Sequence, residues 1–263
     1  MRLAARVEGI GLVGPGWRSW DEAREALAGR ASYARAAAAA PAPQALPATE
    51  RRRAGQSVRL ALAAGLQAVA EAGRDAAALA AVFASSSGDG ENCHAICEVL
   101  ASGDRQISPT RFHNSVHNAP GGYWSIATGA TASVDSIAAF DASFAAGLLE
   151  ALVRLAAEPA TPVVLVAYDA PYPEPLRSAR PVPDAFAAAM VLASAAGRAG
   201  PSIVARLDPA PAHSMRDPQL ERLRREIPAA RALPLLEILA RGTGGATAIE
   251  YCDGLALHLQ VTP

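Results

Sequence analysis

The chain has 263 residues, 51% of them hydrophobic, and a formal net charge of −1. This length and composition allow one substantial buried core, so we expect a single domain over residues 1–263. A charge near zero gives no electrostatic reason to expect binding to nucleic acid or to an anionic membrane. Three cysteines do not make a disulfide framework, and no run approaches the roughly 18 apolar residues that a membrane span needs. The N-terminus has no signal-peptide pattern, so we expect a cytoplasmic protein without a membrane span.

Strands and helices alternate in the first 110 residues. The apolar patterns predict strands at Leu3–Val13 and Leu79–Ala84, and helices at Asp21–Ala28, from an N-cap at Thr49 to Gly73, and at Glu91–Leu100. Residues 31–48 are so rich in alanine and proline that they predict no packed element. That segment is either a loop ordered by its contacts or a floppy one.

The same alternation continues in the second half of the chain. Strands are predicted at Pro162–Ala167, Phe186–Ala193, Ile203–Leu207, Thr247–Tyr251 and Leu255–Val261, and helices at Asp217–Arg225 and Leu233–Leu239. Asp253-Gly254 between the last two strands is a hairpin signal. Alternating strands and helices predict an α/β fold.

A central stretch predicts strand, tight turn and helix in succession. Thr131–Phe140 has the residue types of a strand, and Ala142–Ala157 predicts a helix that is apolar nearly all round. Such a helix is enclosed by other structure, which indicates a layered α/β core. Asp141 and Ser143 are predicted to cap the helix. A strand that turns sharply into a buried helix is a common seat for a nucleophile, but this turn contains no thiol.

The richest polar cluster is His113, Asn114, His117 and Asn118. If the segment is helical, the two histidines share a face and could form an acid/base pair. More often such residues hydrogen-bond neighbouring backbone and hold a loop, and this second interpretation is preferred.

Two other motifs are too weak to predict a cofactor or a metal. Cys93-His94-Ala95-Ile96-Cys97 does not have the spacing of a zinc knuckle and has no second pair. Its residues are expected to be packing residues on a helix. The Ser85–Gly90 loop lacks the phosphate-binding glycine-lysine pattern, so an ordinary loop is expected there.

Two longer segments carry a resemblance. They resemble the short ketosynthase-like proteins called chain length factors. The two segments are HNSVHNAPGGYWSIATGA (113–130) and SFAAGLLEAL (143–152). They look most similar to those of aryl-polyene gene clusters. The resemblance covers residues 1 to about 208, and the tail matches only through the glycine-rich 242–246. It implies a thiolase-like layered α/β fold that is shortened in its C-terminal half.

The resemblance also implies that the chain has no catalytic residues of its own. β-Ketoacyl synthases carry their acyl-accepting cysteine at the turn before the buried helix, where Phe140 or its neighbour stands here. Cys93, Cys97 and Cys252 lie far from that turn in sequence, and the two histidines of the C-terminal half, at 213 and 258, match no motif. Nucleophilic catalysis needs a thiolate with a proton-handling partner in reach.

The resemblance therefore implies a non-catalytic subunit that pairs with an active ketosynthase and limits the length of the acyl chain. Strand 131–140 is expected to align with the partner's equivalent strand, and an acyl carrier protein is expected to bind mainly through the partner. The residues expected at the substrate channel and interface are Phe112, His113, Asn114, His117, Asn118, Tyr123, Trp124, Phe140, Asp141 and Phe144. The Phe140 ring is expected to project toward the acyl tunnel.

Two alternatives remain from the sequence. One is a stand-alone hydrolase or acyltransferase that uses Ser143 or Asp141 with His113 or His117. The other is a purely structural stabiliser of the synthase, without effect on product length.

Overall fold

Eight strands form one mixed sheet in residues 2–196, 200–252 and 254–263, the residues that this computed structural model describes. The strands are β1 (Leu3–Val13), β2 (Ala80–Ala84), β3 (Val134–Ile137), β4 (Val163–Asp169), β5 (Phe186–Ala193), β6 (Ser202–Asp208), β7 (Gly245–Glu250) and β8 (Ala256–Thr262). Across the sheet their order is β3-β2-β4-β5-β1-β6-β8-β7. β2 runs parallel to β3 and to β4, and all other neighbours are antiparallel.

Helices cover both faces of this sheet. They are α1 (Trp20–Leu27), α2 (Ala48–Arg53), α3 (Gln56–Ala72), α4 (Gly90–Ala101), α5 (Pro109–Asn114), α6 (Ala119–Thr128), α7 (Ser143–Ala157), α8 (Leu176–Ala179), α9 (Pro218–Glu226) and α10 (Leu233–Arg241). Short 3-10 turns lie at Ala76–Ala78, Phe140–Ala142 and Pro228–Ala232. In the described residues no helix is both long enough and apolar enough to cross a membrane. The predicted α/β class is confirmed.

Side chains of the central strands alternate between two cores. On β4, Val164, Val166 and Tyr168 pack on the face that α3 and α6 cover. Val163, Leu165 and Ala167 pack on the opposite face, against α7 and the 228–232 turn. Because successive residues of a strand point to opposite faces, one fully apolar strand supplies both layers. The layered core is therefore present, with β4 in its middle.

Helix α7 lies directly on the sheet because Gly147 lets it approach. A Cβ atom at this glycine would stand 2.7 Å from the Ala84 Cβ and 3.0 Å from a Leu165 methyl group. Most of α7 is buried, as predicted, but Val153 is exposed on its outer side. A larger residue at 147 would therefore push the helix away from β2 and β4.

Several predicted boundaries are wrong. The helix predicted from Thr49 is two helices, because the chain is extended at Gly55 (φ −69°, ψ 177°) between α2 and α3. β3 is shorter than the predicted 131–140 strand. Helices α5 and α6 were not predicted, although Pro120 in the first turn of α6 and the left-handed Gly129 at its end are ordinary helix boundary signals.

The alanine- and proline-rich segment is ordered by its contacts. Leu46 is buried, and the Ala38 N–H donates to an Asp184 carboxylate oxygen at 3.2 Å. The Tyr33 hydroxyl donates to the Pro15 carbonyl at 2.8 Å. At the other end of the chain β7 and β8 form the predicted antiparallel hairpin, whose turn residue Asp253 lies outside the described residues.

Candidate functional site

The turn between β3 and α7 holds an aromatic residue in a strained conformation. Phe140 has φ +51°, in the left-handed region that bulky residues rarely adopt, and it is 62% exposed. Such a conformation persists only where the surroundings determine it, and it often marks a functional site. The strain and the exposed ring coincide at the position where a nucleophile would be expected.

Ser143 closes this turn from the helix side. Its hydroxyl donates to the Phe140 carbonyl at 2.7 Å and accepts from the Ala139 N–H at 3.1 Å. The prediction that Ser143 caps α7 is wrong, since α7 has no side-chain cap. The hydroxyl is buried and committed to the turn, so the structure does not present it as a nucleophile.

Asp141 also does not cap the helix, because two arginines bind its carboxylate. Arg180 donates to Oδ1 at 2.7 Å and Arg231 donates to Oδ2 at 3.0 Å. The Arg180 guanidinium also lies over the Phe140 ring, 3.6 Å from the ring centroid. Burial disfavours the charged form of Arg180, but its hydrogen bonds to Asp141 and Tyr172 outweigh burial and raise the pKa of the guanidinium. The turn is therefore held from outside by ion pairs and by a cation–π contact.

These ion pairs extend into a larger network. Arg231 also pairs with Glu250 on β7, and Arg224 on α9 lies 3.4 Å from the same carboxylate. Arg224 binds Glu221 at 2.8 Å, and this hydrogen bond lowers the pKa of Glu221. Arg180, Arg231 and Arg224 are thus matched by three carboxylates, so the network carries no excess positive charge.

A buried carboxylate positions the segment that carries Arg231. Asp169 is 1% exposed and accepts from the Ala229 N–H at 2.8 Å, from the Ser86 N–H at 2.9 Å and from the Ser86 hydroxyl at 2.7 Å. Burial raises the pKa of Asp169 to about 6, although these hydrogen bonds oppose the shift. Asp169 therefore joins the end of β4 to the 85–88 loop and to the 228–232 turn.

An open pocket of about 610 Å³ lies beside the turn. Its lining residues are Ala139, Phe140, Asp141, Ala142, Ala210, Pro211, Ala212, Arg231, Glu250, Tyr251, Cys252, Gly254 and Leu255. Cys252, which is far from the turn in sequence, is thus brought to the same pocket as Phe140. None of these described lining residues is a histidine.

The other two cysteines are on α4 and are exposed, so the packing role expected for them is wrong. The Cys93 thiol points to the Ser115 carbonyl at 3.8 Å. Among the described residues, no three His, Cys, Asp or Glu side chains are grouped to hold a metal ion.

The polar cluster near α5 holds loops together. The helix ends at Asn114, so the premise that His113 and His117 share a helix face is wrong. His117 Nε2 lies 3.1 Å from the Ser85 carbonyl oxygen, and Asn114 donates to the Arg53 carbonyl at 2.9 Å. The Asn114 side chain also accepts from the Tyr123 hydroxyl at 3.1 Å, while His113 packs edge-on against the same tyrosine ring. These are the contacts of the loop-holding interpretation.

The predicted channel residues divide into buried and exposed sets. Tyr123, Trp124 and Phe144 are buried in the two cores of this chain, where Trp124 packs edge-on against Phe83. Their predicted place at a channel stays a prediction. Phe112 is 68% exposed, and Asn118 is exposed just before α6. Phe112 and Phe140 are thus the predicted aromatic residues that reach the surface.

β3 forms one edge of the sheet. The Ser133 and Ile137 carbonyls accept from N–H groups of Ala81 and Ser85 next to them, at 3.0 and 3.1 Å. Because main-chain groups alternate in direction along a strand, those of Val134 and Ser136 point away from β2. Helix α6, which packs beside this strand, carries the exposed Ile126.

The chain belongs to the β-ketoacyl synthase family, since residues 17–250 match the β-ketoacyl synthase N-terminal domain. It is a chain-length-factor-like member of that family with the thiolase-like ketosynthase fold. No curated protein matches the chain.

In each of three solved complexes, one chain is similar to this chain over nearly the full length of the two compared chains. A ketosynthase (ApeO) in complex with its chain length factor (ApeC) from Xenorhabdus doucetiae shares 25% identity, with TM-score 0.75 and coverage of 98% of this chain and 99% of that chain. The ishigamide ketosynthase/chain length factor shares 12% identity, with TM-score 0.70 and coverage of 98% and 99%. AntDE:AntF, a type II polyketide acyl carrier protein in complex with its ketosynthase bound to the hexaketide, shares 12% identity, with TM-score 0.73 and coverage of 100% and 99%.

The match to another synthase is less complete. A β-ketoacyl synthase from Burkholderia phymatum has a TM-score of 0.60 at 18% identity, and only 71% of that chain is covered. The chains matched in the three complexes therefore have about the length of this one, whereas the Burkholderia synthase is longer.

Proposed function

We propose that this chain is a non-catalytic chain length factor that binds an active β-ketoacyl synthase and limits the length of the acyl chain built there. The observation that carries the proposal is the exposed Phe140 ring, held in left-handed backbone at the strand–helix turn. In the family that the sequence resembles, this turn presents the thiol that accepts the acyl group. A phenyl ring cannot form a thioester, so the chemistry is assigned to the partner.

The surroundings of the turn support this assignment. Ser143 and Asp141 are engaged in a hydrogen bond and in ion pairs, and His113 and His117 hold other segments. The stand-alone hydrolase or acyltransferase needs these groups to meet, and their contacts do not favour it. Cys252 borders the pocket, but no described histidine lines that pocket to take its proton.

The open edge at β3 supports the proposed assembly. Val134 and Ser136 have main-chain groups directed outward, so an antiparallel strand from a ketosynthase could extend the sheet. The full-length match to chains from ketosynthase complexes is consistent with this arrangement. The acyl carrier protein is then expected to bind mainly through the ketosynthase.

Phe140 is the proposed stop for the growing chain. Once packed against the partner, this aromatic wall would not yield cheaply to additional carbons. A flat ring also suits a conjugated chain, through stacking contacts of about 1 kcal/mol each. We assign the product to the aryl-polyene class because the sequence resemblance is strongest there. The proposal needs no cofactor and describes one domain, 1–263, acting in the cytoplasm.

Product analysis tests this function. The chain is co-expressed with a β-ketoacyl synthase from the same organism, the complex is isolated, and product lengths are measured by mass spectrometry. Phe140→Ala keeps the Cβ atom and its backbone strain but removes the ring, so products should become longer while the complex stays intact. Phe140→Tyr, which keeps the ring, is the matched control and should retain the wild-type length.

An intact Phe140→Ala complex with unchanged product lengths would contradict the proposed stop. If no variant of the exposed aromatic residues changes product length while assembly persists, the chain is a structural stabiliser. If the isolated chain turns over a substrate and the Ser143→Ala variant does not, the result would instead support the hydrolase alternative.

A further inference from the structure

The exposed Phe140 ring needs a support before it can act as a wall. Its side chain is 62% exposed, and an exposed side chain ordinarily changes rotamer on the picosecond-to-nanosecond timescale. The support visible in the structure is the Arg180 guanidinium, 3.6 Å from the ring centroid. This cation thus covers one face of the ring. The solvent exposure of the ring is therefore on its other face.

Arg180 is itself held in place. Its side chain is 21% exposed and donates to Asp141 at 2.7 Å. Asp141 is bound from its other oxygen by Arg231, whose side chain is 13% exposed. Two residues before Arg231, the Ala229 N–H donates to the buried Asp169. A continuous set of contacts therefore runs from the core of the sheet to the surface of the ring.

The chemistry of this support requires arginine. A planar guanidinium can stack on an aromatic ring while its N–H groups bind a carboxylate in the same plane. Lysine carries the charge at a single point and has no plane to stack. Methionine keeps the length and part of the packing but neither the charge nor the hydrogen bond.

We infer that Arg180 is a positioning residue that fixes the Phe140 ring and thereby determines the chain-length specificity of the complex. The inference rests on the proposed function of Phe140 and adds to it a residue from the loop between β4 and β5. The open face of the ring is then the surface that meets the apolar, conjugated end of the acyl chain. Without Arg180 the Phe140 ring adopts other rotamers and no longer blocks the acyl chain, so longer products form.

The first test uses the intact ketosynthase complex. Arg180→Met should raise the fraction of products beyond the wild-type length about two- to fivefold, the scale of a cation–π contact, and less than Phe140→Ala does. Arg180→Lys keeps the positive charge, so assembly and stability should stay at wild-type levels. The limit on product length should be kept only in part. Arg177→Met, an arginine exposed on α8 three residues earlier, is the matched control and should change nothing.

The second test observes the ring itself. 4-Fluorophenylalanine labels the five phenylalanines of this chain in the complex, and the loss of one fluorine signal in Phe140→Leu assigns the residue. In Arg180→Met that signal should narrow and move toward the position of the free amino acid. In Arg177→Met it should stay unchanged. Arg180→Lys provides the same readout if Arg180→Met assembles poorly.

The outcomes separate the two proposals. If Phe140→Ala lengthens the products but Arg180→Met and Arg180→Lys leave both product length and the fluorine signal unchanged, Arg180 is not the positioning residue and the stop at Phe140 stands. If Phe140→Ala has no effect in an intact complex, the proposed stop fails, and with it the role of Arg180 in specificity. A longer product together with a mobile ring in Arg180→Met supports both.

Discussion

The two edges of the sheet are treated differently. At the β7 edge, the loop through residues 209–216 lies against the strand, and the His213 N–H donates to the Ala248 carbonyl at 2.9 Å. At the β3 edge, none of the backbone hydrogen bonds of the described residues occupies the outward groups of Val134 and Ser136. The β7 edge is therefore bonded by the chain itself at Ala248, whereas the β3 edge is left open at both of its outward residues.

This difference favours the β3 edge as the one that binds another chain. Unpaired edges template pairing with other chains, so proteins cover, shorten or charge the edges that are not interfaces. Helix α6, which packs beside β3, also carries the apolar Ile126, which is 47% exposed. The comparison therefore favours β3 as the edge that would face the proposed ketosynthase partner, and four predictions can break or sharpen it.

The largest effect is expected from proline on the open edge. Ser136→Pro removes an outward N–H and adds a ring at the edge, whereas the bonds of β3 to β2 are kept. We expect complex formation with the ketosynthase to weaken more than about 100-fold, measured by surface plasmon resonance. Ala246→Pro makes the matched change on β7, where residues 246 and 248 point the same way, and should bind normally. Equal losses for both variants would remove the distinction between the edges.

The second prediction concerns Asp169 at the end of β4, the third strand from the β3 edge. The pKa of Asp169, about 6 when folded, is above that of an unfolded aspartate, so its contribution to stability is full below about pH 4. That contribution is lost as the pH rises through 6, which should lower the free energy of unfolding by about 2 kcal/mol between pH 4 and pH 7. Urea unfolding of Asp169→Asn should lack this component. Parallel pH profiles for the two proteins would show that the carboxyl group does not titrate in this window.

The third prediction compares Phe112, an exposed residue expected at the interface, with an exposed leucine on β6. Phe112→Ser should weaken binding roughly 10- to 100-fold, because burying a phenyl side chain contributes about 1.5–3 kcal/mol. Leu207→Ser removes a 41% exposed leucine from β6, far along the sheet order from β3, and should leave the affinity unchanged. Isothermal titration calorimetry measures both. A stronger effect at Leu207 would place the partner on the other side.

The smallest effect is expected at the covered edge. His213→Pro removes the N–H that binds Ala248, so the free energy of unfolding should fall by about 1 kcal/mol. Affinity for the ketosynthase should not change, since this edge is not the proposed interface. A large loss of binding in a stably folded His213→Pro variant would argue that the β7 edge takes part in the complex.

Local patterns were enough to predict the elements with strong apolar periodicity. β1 and β5 have the predicted bounds, and α7 is the predicted buried helix. Helix α6 was missed because its alanines, glycines and proline give a weak helical pattern, and its stability comes from packing against α3 and the sheet. Periodicity does not report such tertiary packing.

The candidate site was predicted only in part, because it is assembled from distant segments. Phe140 and Asp141 belong to a local motif and were identified. Arg180 and Arg231 reach Asp141 from 39 and 90 residues away, and no local signal marks them. Asp169 could have been noticed as a charged residue that ends an otherwise apolar strand. The proximity of Cys252 to Phe140 depends on the hairpin β7–β8 folding back beside the turn.

The place of β1 in the sheet has a consequence for synthesis. Its two neighbours are β5 and β6, and β5 begins at residue 186 whereas β1 ends at residue 13. At ribosomal speeds of about 5–20 residues per second, this strand waits on the order of 10 to 40 seconds for its first partner. During that time helix α3, which packs against it, is the early cover for its apolar face. Nascent chains shorter than about 200 residues thus expose both edges of an eleven-residue strand. We expect chaperones to matter most at this stage of synthesis.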